Sequence, residues 1–375
     1  MPIRIGILKA ATVLYQITGV FLLKYNGTQP IPVEQSFGGE AGMFYFVPLI
    51  AFHFTISALS ATWYFLFGQV AIAIMTSGTA LFLIAKTTLG KVITVVGIVS
   101  MGIVAWLASD VYVTYFFTVS FFPWVLVLLE KKRYRTLIIY SFLLGLIVEY
   151  GNFVRSFSGF PLLVGVSIAI ICSLKNSRKT VLFLGCLFLG MMLVNIHIQS
   201  MINQRNSYLQ DQRYVFEKDN IQHTFWHNIY MGLGFITNNK TLYFSDACSA
   251  KKVKQVNPTA GYLKPEYETV LRNEVLKLCL CSPHYVLRVF FAKLGVLIYY
   301  LLLFTNVGLL AAYYRPKPLY IELSYWGMMC ISALPGILTI PNTLYLLGFI
   351  SVAVLYGIHS IVHALNVLSK KQAYE

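Results

Sequence analysis

Apolar segments of about 20 residues, each long enough to cross the hydrocarbon core of a bilayer, follow one another along most of the chain, and one polar interval, residues 201–283, interrupts them. The spacing predicts a first span over 7–24, then a helix over 43–59 that lies in the membrane interface or is re-entrant. Further span cores are expected at 69–85, 92–108, 112–129, 136–150, 160–174 and 180–199, and behind the polar interval at 285–313, 319–340 and 344–367. The fold class is therefore an all-α polytopic membrane protein with about ten transmembrane helices and one long extracytoplasmic loop. It divides into an N-terminal transmembrane module (1–200, with the first outer loop and the interfacial helix), a loop subdomain (201–283) and C-terminal helices (284–375). Inside the loop, Tyr267, Val270, Leu271, Val275 and Leu278 recur at helical spacing with charges between them. This predicts an amphipathic helix that packs on the membrane face or forms the core of a small soluble unit.

Composition strengthens this picture. Of the 375 residues 57% are hydrophobic and 11% charged, and the mean hydropathy is +0.68, outside the range of soluble domains. The net charge of +15 would suggest nucleic acid in a soluble protein. Here the basic residues fall in short clusters between apolar segments, at Lys86–Lys91, Lys131–Arg135, Lys175–Lys179, Arg315–Lys317 and Lys370–Lys371. That is the positive-inside pattern of a membrane protein, so no nucleic-acid partner is expected and membrane lipids are. With Arg4 and Lys9 counted on the same side, both termini are expected in the cytoplasm. Glu40, Asp110, residues 149–159 and the polar interval are then expected outside. Of the six cysteines, only Cys248, Cys279 and Cys281 lie in the interval, where Cys248 could pair with either of the others.

Ionisable groups at the ends of spans are costly and are functional candidates by default. On the outer side these are Glu40 among the glycines of Gly38-Gly39-Glu40-Ala41-Gly42, Asp110, and Glu149 ahead of Gly151-Asn152-Phe153-Val154-Arg155-Ser156-Phe157-Ser158-Gly159 with its Arg155. In the loop they are His223, Trp226, His227, Tyr230, Tyr243 and Asp246. Each has a plainer use: Glu40 as a solvated loop carboxylate, Arg155 as a side chain reaching headgroups. The i, i+4 pair His223/His227 has metal-ligand spacing but no third ligand in the sequence.

From Glu40 to about Pro161 the order of an outer acidic residue, an interfacial helix, a basic inner turn and a second outer acidic residue resembles the GT-C superfamily of polytopic glycosyltransferases. The stretch 152–159 and the run Phe225 to Gly234 are similar to those of uncharacterised bacterial members. The first acidic site is a lone glutamate where many relatives carry an Asp-Glu pair. The resemblance implies a polyprenyl-phosphate sugar donor, a lipid, glycan or protein acceptor, and a bacterial inner membrane. It implies transfer with inversion, with Glu40 as general base and Arg155 on the leaving phosphate. Asp110 would place the acceptor or hold a divalent metal ion, leaving the cofactor open, and Trp226, Tyr230 and Tyr243 would stack on sugars while His223, His227 and Asp246 bind hydroxyls.

Two other classes fit the outline. A polysaccharide polymerase or ligase would rely on loop arginines such as Arg205, Arg213 and Arg272, and would not need Glu40. A transporter or flippase of lipid-linked sugars would place polar groups at the bilayer midplane and show paired halves.

Overall fold

The computed structural model describes residues 2–27, 29–33, 38–108, 110–174, 176–214, 225–236, 243–262 and 264–372. The chain is an all-α polytopic membrane protein: among the described residues eight helical segments are long and apolar enough to cross a membrane. They begin with α3 (Ala58–Ile84) and α4 (Thr88–Ala108), preceded by α1 (Pro2–Thr18) and α2 (Met43–His53). The span Val113–Glu130 consists of α5 (Val113–Val119) and α6 (Phe122–Glu130), and α7 (Tyr134–Val154), α8 (Phe160–Ser173) and α9 (Ser177–Asp211) follow. The polar interval holds α10 (Phe225–Leu233), α11 (Asp246–Val256) and α12 (Pro265–Cys281). The C-terminal helices are α13 (Pro283–Tyr314), α14 (Leu319–Leu338) and α15 (Leu347–Gln372).

Helices of this composition gain little from hydrophobic contact with each other in lipid, so they associate where small residues let backbones approach. Gly145 of α7 and Gly190 of α9 meet so closely that a Cβ on Gly190 would stand 3.1 Å from the Gly145 Cα; Gly308 of α13 meets Gly357 of α15 in the same way. Large apolar side chains such as Phe67, Met75, Leu107, Val181, Phe291 and Leu302 point outward, toward where lipid would lie. Val113–Glu130 and α15 are mostly enclosed and form the middle of the bundle.

Side-chain ties define its two ends. At one, Lys86 N–H donates to Asn366 Oδ1 at 2.9 Å, Lys179 lies over the Tyr134 ring, and Lys317 donates to Ser360. Basic clusters from every part of the sequence thus share one end. At the other, Arg155 meets Glu40, the Tyr112 and Tyr345 rings touch, and Tyr285 OH donates to the Leu233 carbonyl, fixing the polar interval there.

One expectation changes. The first span predicted over 7–24 is a 17-residue helix ending at Thr18, followed by an antiparallel hairpin of β1 (Leu23–Asn26) and β2 (Gln29–Pro32). Ile5 and Leu8 of α1 line a cavity with Glu40 and Asp110. Leu14 packs with Leu209, in the last turns of α9. Both ends of α1 therefore lie at the site end, and α1 does not join the two ends of the bundle as a span would. Apolarity alone could not distinguish this helix from a span, because α1 buries its apolar face on α2 and α3. In the polar interval the second of the two expected arrangements is found. Tyr230, Leu233, Val253, Ala260, Tyr267, Leu271 and Val275 form a separate core, so the amphipathic helix α12 is the centre of a small folded unit. None of the six cysteines is in a disulfide, and Cys279 and Cys281 are exposed at the end of α12.

Candidate functional site

The glycines around Glu40 let one backbone approach another. Gly38–Glu40 is a single 3₁₀ turn, and its Gly39 carbonyl accepts from Ser156 N–H at 2.9 Å, while Gly42 N–H donates to the Phe153 carbonyl at 2.9 Å. A Cβ on Gly42 would stand 2.7 Å from the Val154 Cα. The first outer segment is thus sewn onto the end of α7. The stretch after α7 is a tight return: Phe157 has a φ of 69°, Asn152 Oδ1 accepts from Gly159 N–H at 2.9 Å, and Thr118 Oγ1 donates to the Ser158 carbonyl at 2.7 Å. Its conspicuous residues therefore have an architectural use, and Arg155 is the one left facing Glu40.

Arg155 Nη1 donates to Glu40 Oε1 at 2.8 Å, with the arginine side chain 21% exposed and that of Glu40 8%. Nη2 donates to Tyr112 OH at 2.5 Å, and the guanidinium carbon lies 4.3 Å from the centre of the Tyr112 ring. Nε is shielded from solvent and makes no hydrogen bond. Burial works against the charge on Arg155, but the oxygens of Tyr112 and Glu40 outweigh it and hold its pKa above the ordinary value. Burial pushes the Tyr112 phenol up, against the opposing pull of Arg155. Tyr345 stands edge-on to Tyr112 with ring centres 5.3 Å apart, and Tyr115 OH donates to the Ser156 carbonyl at 3.3 Å.

Asp110 joins this group at one remove. It lines, with Glu40, Ile5, Met43, Thr62 and Val111, a cavity of about 20 Å³, room for a single water molecule. Its Oδ1 accepts from Val111 N–H at 2.6 Å, at the entry to α5.

The loop candidates form a second cluster. His227 is buried, with Nδ1 3.1 Å from Tyr267 OH and Nε2 2.9 Å from Asp246 Oδ1. Glu268 accepts from Trp226 N–H at 2.8 Å and from His227 N–H at 3.1 Å, satisfying the free amides at the start of α10 as a capping carboxylate does. Burial pushes the Tyr267 phenol up, with Tyr262 and Asp246 adding to it. Tyr230 is buried in the unit's core, so it cannot stack on a sugar in this conformation. Trp226 is partly buried and Tyr243 exposed. His223 lies outside the described residues.

The structure thus brings Glu40, Arg155 and Asp110 together, and separately His227 and Asp246 with Trp226 beside them. Between the clusters stands the end of α14, where Lys293 Nζ, buried, donates to the Ile337 and Thr339 carbonyls at 2.8 and 2.6 Å. No group of three His, Cys, Asp or Glu side chains converges among the described residues. Sequence reasoning missed Tyr112, Tyr345, Tyr267 and Glu268. Tyrosines are too frequent here for any one to stand out, but Glu268, an acidic residue flanked by buried positions of α12, was a legible signal. No family model, curated protein or solved structure matches the chain.

Proposed function

We propose that the protein is an integral membrane glycosyltransferase that takes a sugar from a polyprenyl-phosphate donor and passes it to an extracytoplasmic acceptor. The observation that carries this reading is the Glu40–Arg155 pair, a carboxylate and a guanidinium held together at the end of the bundle opposite the basic clusters. Those clusters assign their own end to the cytoplasm, so the pair faces outward, where a donor whose tail lies in the bilayer can reach it. Counting α5 and α6 as one, nine spans among the described residues then join the two ends, from α3 to α15, with α8 the shortest at 14 residues.

In the reaction the acceptor oxygen attacks the anomeric carbon and Glu40 takes its proton. The bond from that carbon to the phosphate oxygen breaks, and its electron pair stays on the phosphate, where Arg155 meets the growing charge. One displacement inverts the anomeric centre. Asp110 lies beside Glu40 and positions the acceptor, and the folded unit of α10–α12 covers this face, with Trp226 and Asp246 available to the glycan. The test is release of polyprenyl phosphate from a panel of synthetic polyprenyl-phosphate sugars by the purified protein, with Glu40→Gln beside it.

One observation favours a second reading, a transporter of lipid-linked sugars. Ionisable groups are also buried between helices at the basic end: Lys317 meets Glu322 at 2.7 Å, next to His359, whose Nδ1 makes no hydrogen bond. Movement of intact donor across vesicles, without release of phosphate, would establish that reading instead.

A further inference from the structure

The two groups that the proposed transfer needs apart are bonded to each other. A guanidinium offers five donors in a planar fork. On Arg155, Nη1 is taken by Glu40 and Nη2 by Tyr112, while Nε is buried with no acceptor. An unsatisfied buried N–H is unfavourable, and it marks where an added oxygen would be welcome. A carboxylate presents two oxygens in one plane, whereas a phosphate presents several, so a phosphate can fill the Nε position and still reach a second donor.

We infer that Arg155 is an exchange site at which the phosphate of the donor displaces the Glu40 carboxylate, so that the base is released for catalysis only when a donor is bound. This rests on the transferase reading for its chemistry and on the ion pair for its geometry. Tyr112 is the positioning residue: its hydroxyl accepts from the other terminal nitrogen and its ring lies against the guanidinium, contacts that do not depend on Glu40, so the cation stays in place when the carboxylate leaves. Tyr345, packed on Tyr112, buttresses it in turn. Once Glu40 swings off, it and the bound phosphate repel each other, which favours transfer of the acceptor's proton to the carboxylate. Without donor the base stays neutralised by Arg155, and idle activation of water is suppressed.

Exchange predicts an effect that a plain structural salt bridge does not: removing the carboxylate should improve anion binding. Calorimetric titration of the full-length protein in detergent with inorganic phosphate and with polyprenyl phosphate measures this. Glu40→Gln should bind both about tenfold or more tightly than wild type, Arg155→Gln should bind neither, and Tyr112→Phe should bind both more weakly. Should Glu40→Gln fail to fold, Glu40→Asp, whose shorter arm loosens the pair, should show a smaller gain of the same sign. Equal or weaker phosphate binding by a folded Glu40 variant would overturn the exchange. A gain seen with polyprenyl phosphate only would also overturn it, because the tail and not the guanidinium would then be the source. Tighter binding by Glu40→Gln, with no release of phosphate by wild type from any donor, would uphold the exchange and remove the transferase reading. Release by wild type with no gain in binding would do the reverse.

Discussion

Two ion pairs stand at opposite ends of the bundle, and they are built differently. At the basic end the Lys317 side chain is 0% exposed. Its ammonium meets Glu322, donates to Ser360 at 2.6 Å and lies 4.1 Å from the centre of the Tyr356 ring. Burial lowers the Lys317 pKa and Glu322 opposes the shift. These contacts tie the link between α13 and α14 to α15. At the other end, the Glu40–Arg155 pair joins a one-turn segment to a helix end, is partly open, and leaves one donor without an acceptor. Both pairs join a cation to a glutamate at nearly the same distance, a planar guanidinium in one and a compact ammonium in the other. What separates them is how completely the cation is satisfied: a saturated cation resists exchange and clamps helices, while an unsaturated one can accept another anion.

The comparison can be broken by double dissociation. The largest effect is expected for Lys317→Met, which strands Glu322 in the bundle: about 3 kcal/mol or more of stability should be lost, seen as a lower thermal midpoint in detergent. Whatever protein stays folded should keep its turnover. Arg155→Ala should act chiefly on turnover, with release of polyprenyl phosphate falling roughly 100-fold or more in whatever protein stays folded, and it should lower the midpoint as well, because it leaves the Glu40 carboxylate, 8% exposed, without its cation. Arg155→Lys should recover little of the turnover, because an ammonium cannot occupy a planar fork's several positions. Reversed results, with Lys317→Met folded but inactive in moving lipid-linked sugar across vesicles, would give the working role to the basic end.

Smaller effects sharpen the picture of the outer unit. Glu268→Ala removes the acceptor of two helix-start amides and should cost about 1–2 kcal/mol, read as accelerated hydrogen exchange in α10. Asp246→Asn should cost less than about 1 kcal/mol, since the aspartate side chain is 70% exposed. An effect on turnover larger than its effect on stability would move Asp246 from the fold to the glycan. Finally, burial raises the Tyr112 pKa above that of an ordinary phenol. The group therefore keeps its proton as pH rises, and phosphate affinity should not fall between about pH 8 and 10 through loss of that proton.

Much of the architecture could be read along the chain because lipid imposes a simple rule on it. The spans from α3 to α7, α9 and the three C-terminal helices fall where apolar runs of sufficient length predict them, and Glu40 and Arg155 were expected at one end, although not bonded to each other. What was hidden depended on contacts between distant segments. Residues 7–24 have the apolarity of a span, but α1 ends at Thr18 and packs beside the cavity. The glycines near Glu40 let the backbone approach residues 153–156, a partner far away along the chain. His227 was legible as a polar residue in an aromatic run, whereas its burial against Tyr267 and Asp246 required the fold of α10–α12. Tyr112 could not be singled out, because its role comes from lying across Arg155, 43 residues away in sequence.

The most direct test of the central claim is release of polyprenyl phosphate from synthetic polyprenyl-phosphate sugars, followed for wild type and Glu40→Gln side by side with acceptors from a membrane extract. The account predicts release by wild type that disappears in the variant while the variant's thermal midpoint is retained. Equal release by both would take the base away from Glu40, and lipid-linked sugar that remains intact with every donor while crossing vesicles would contradict the transferase itself.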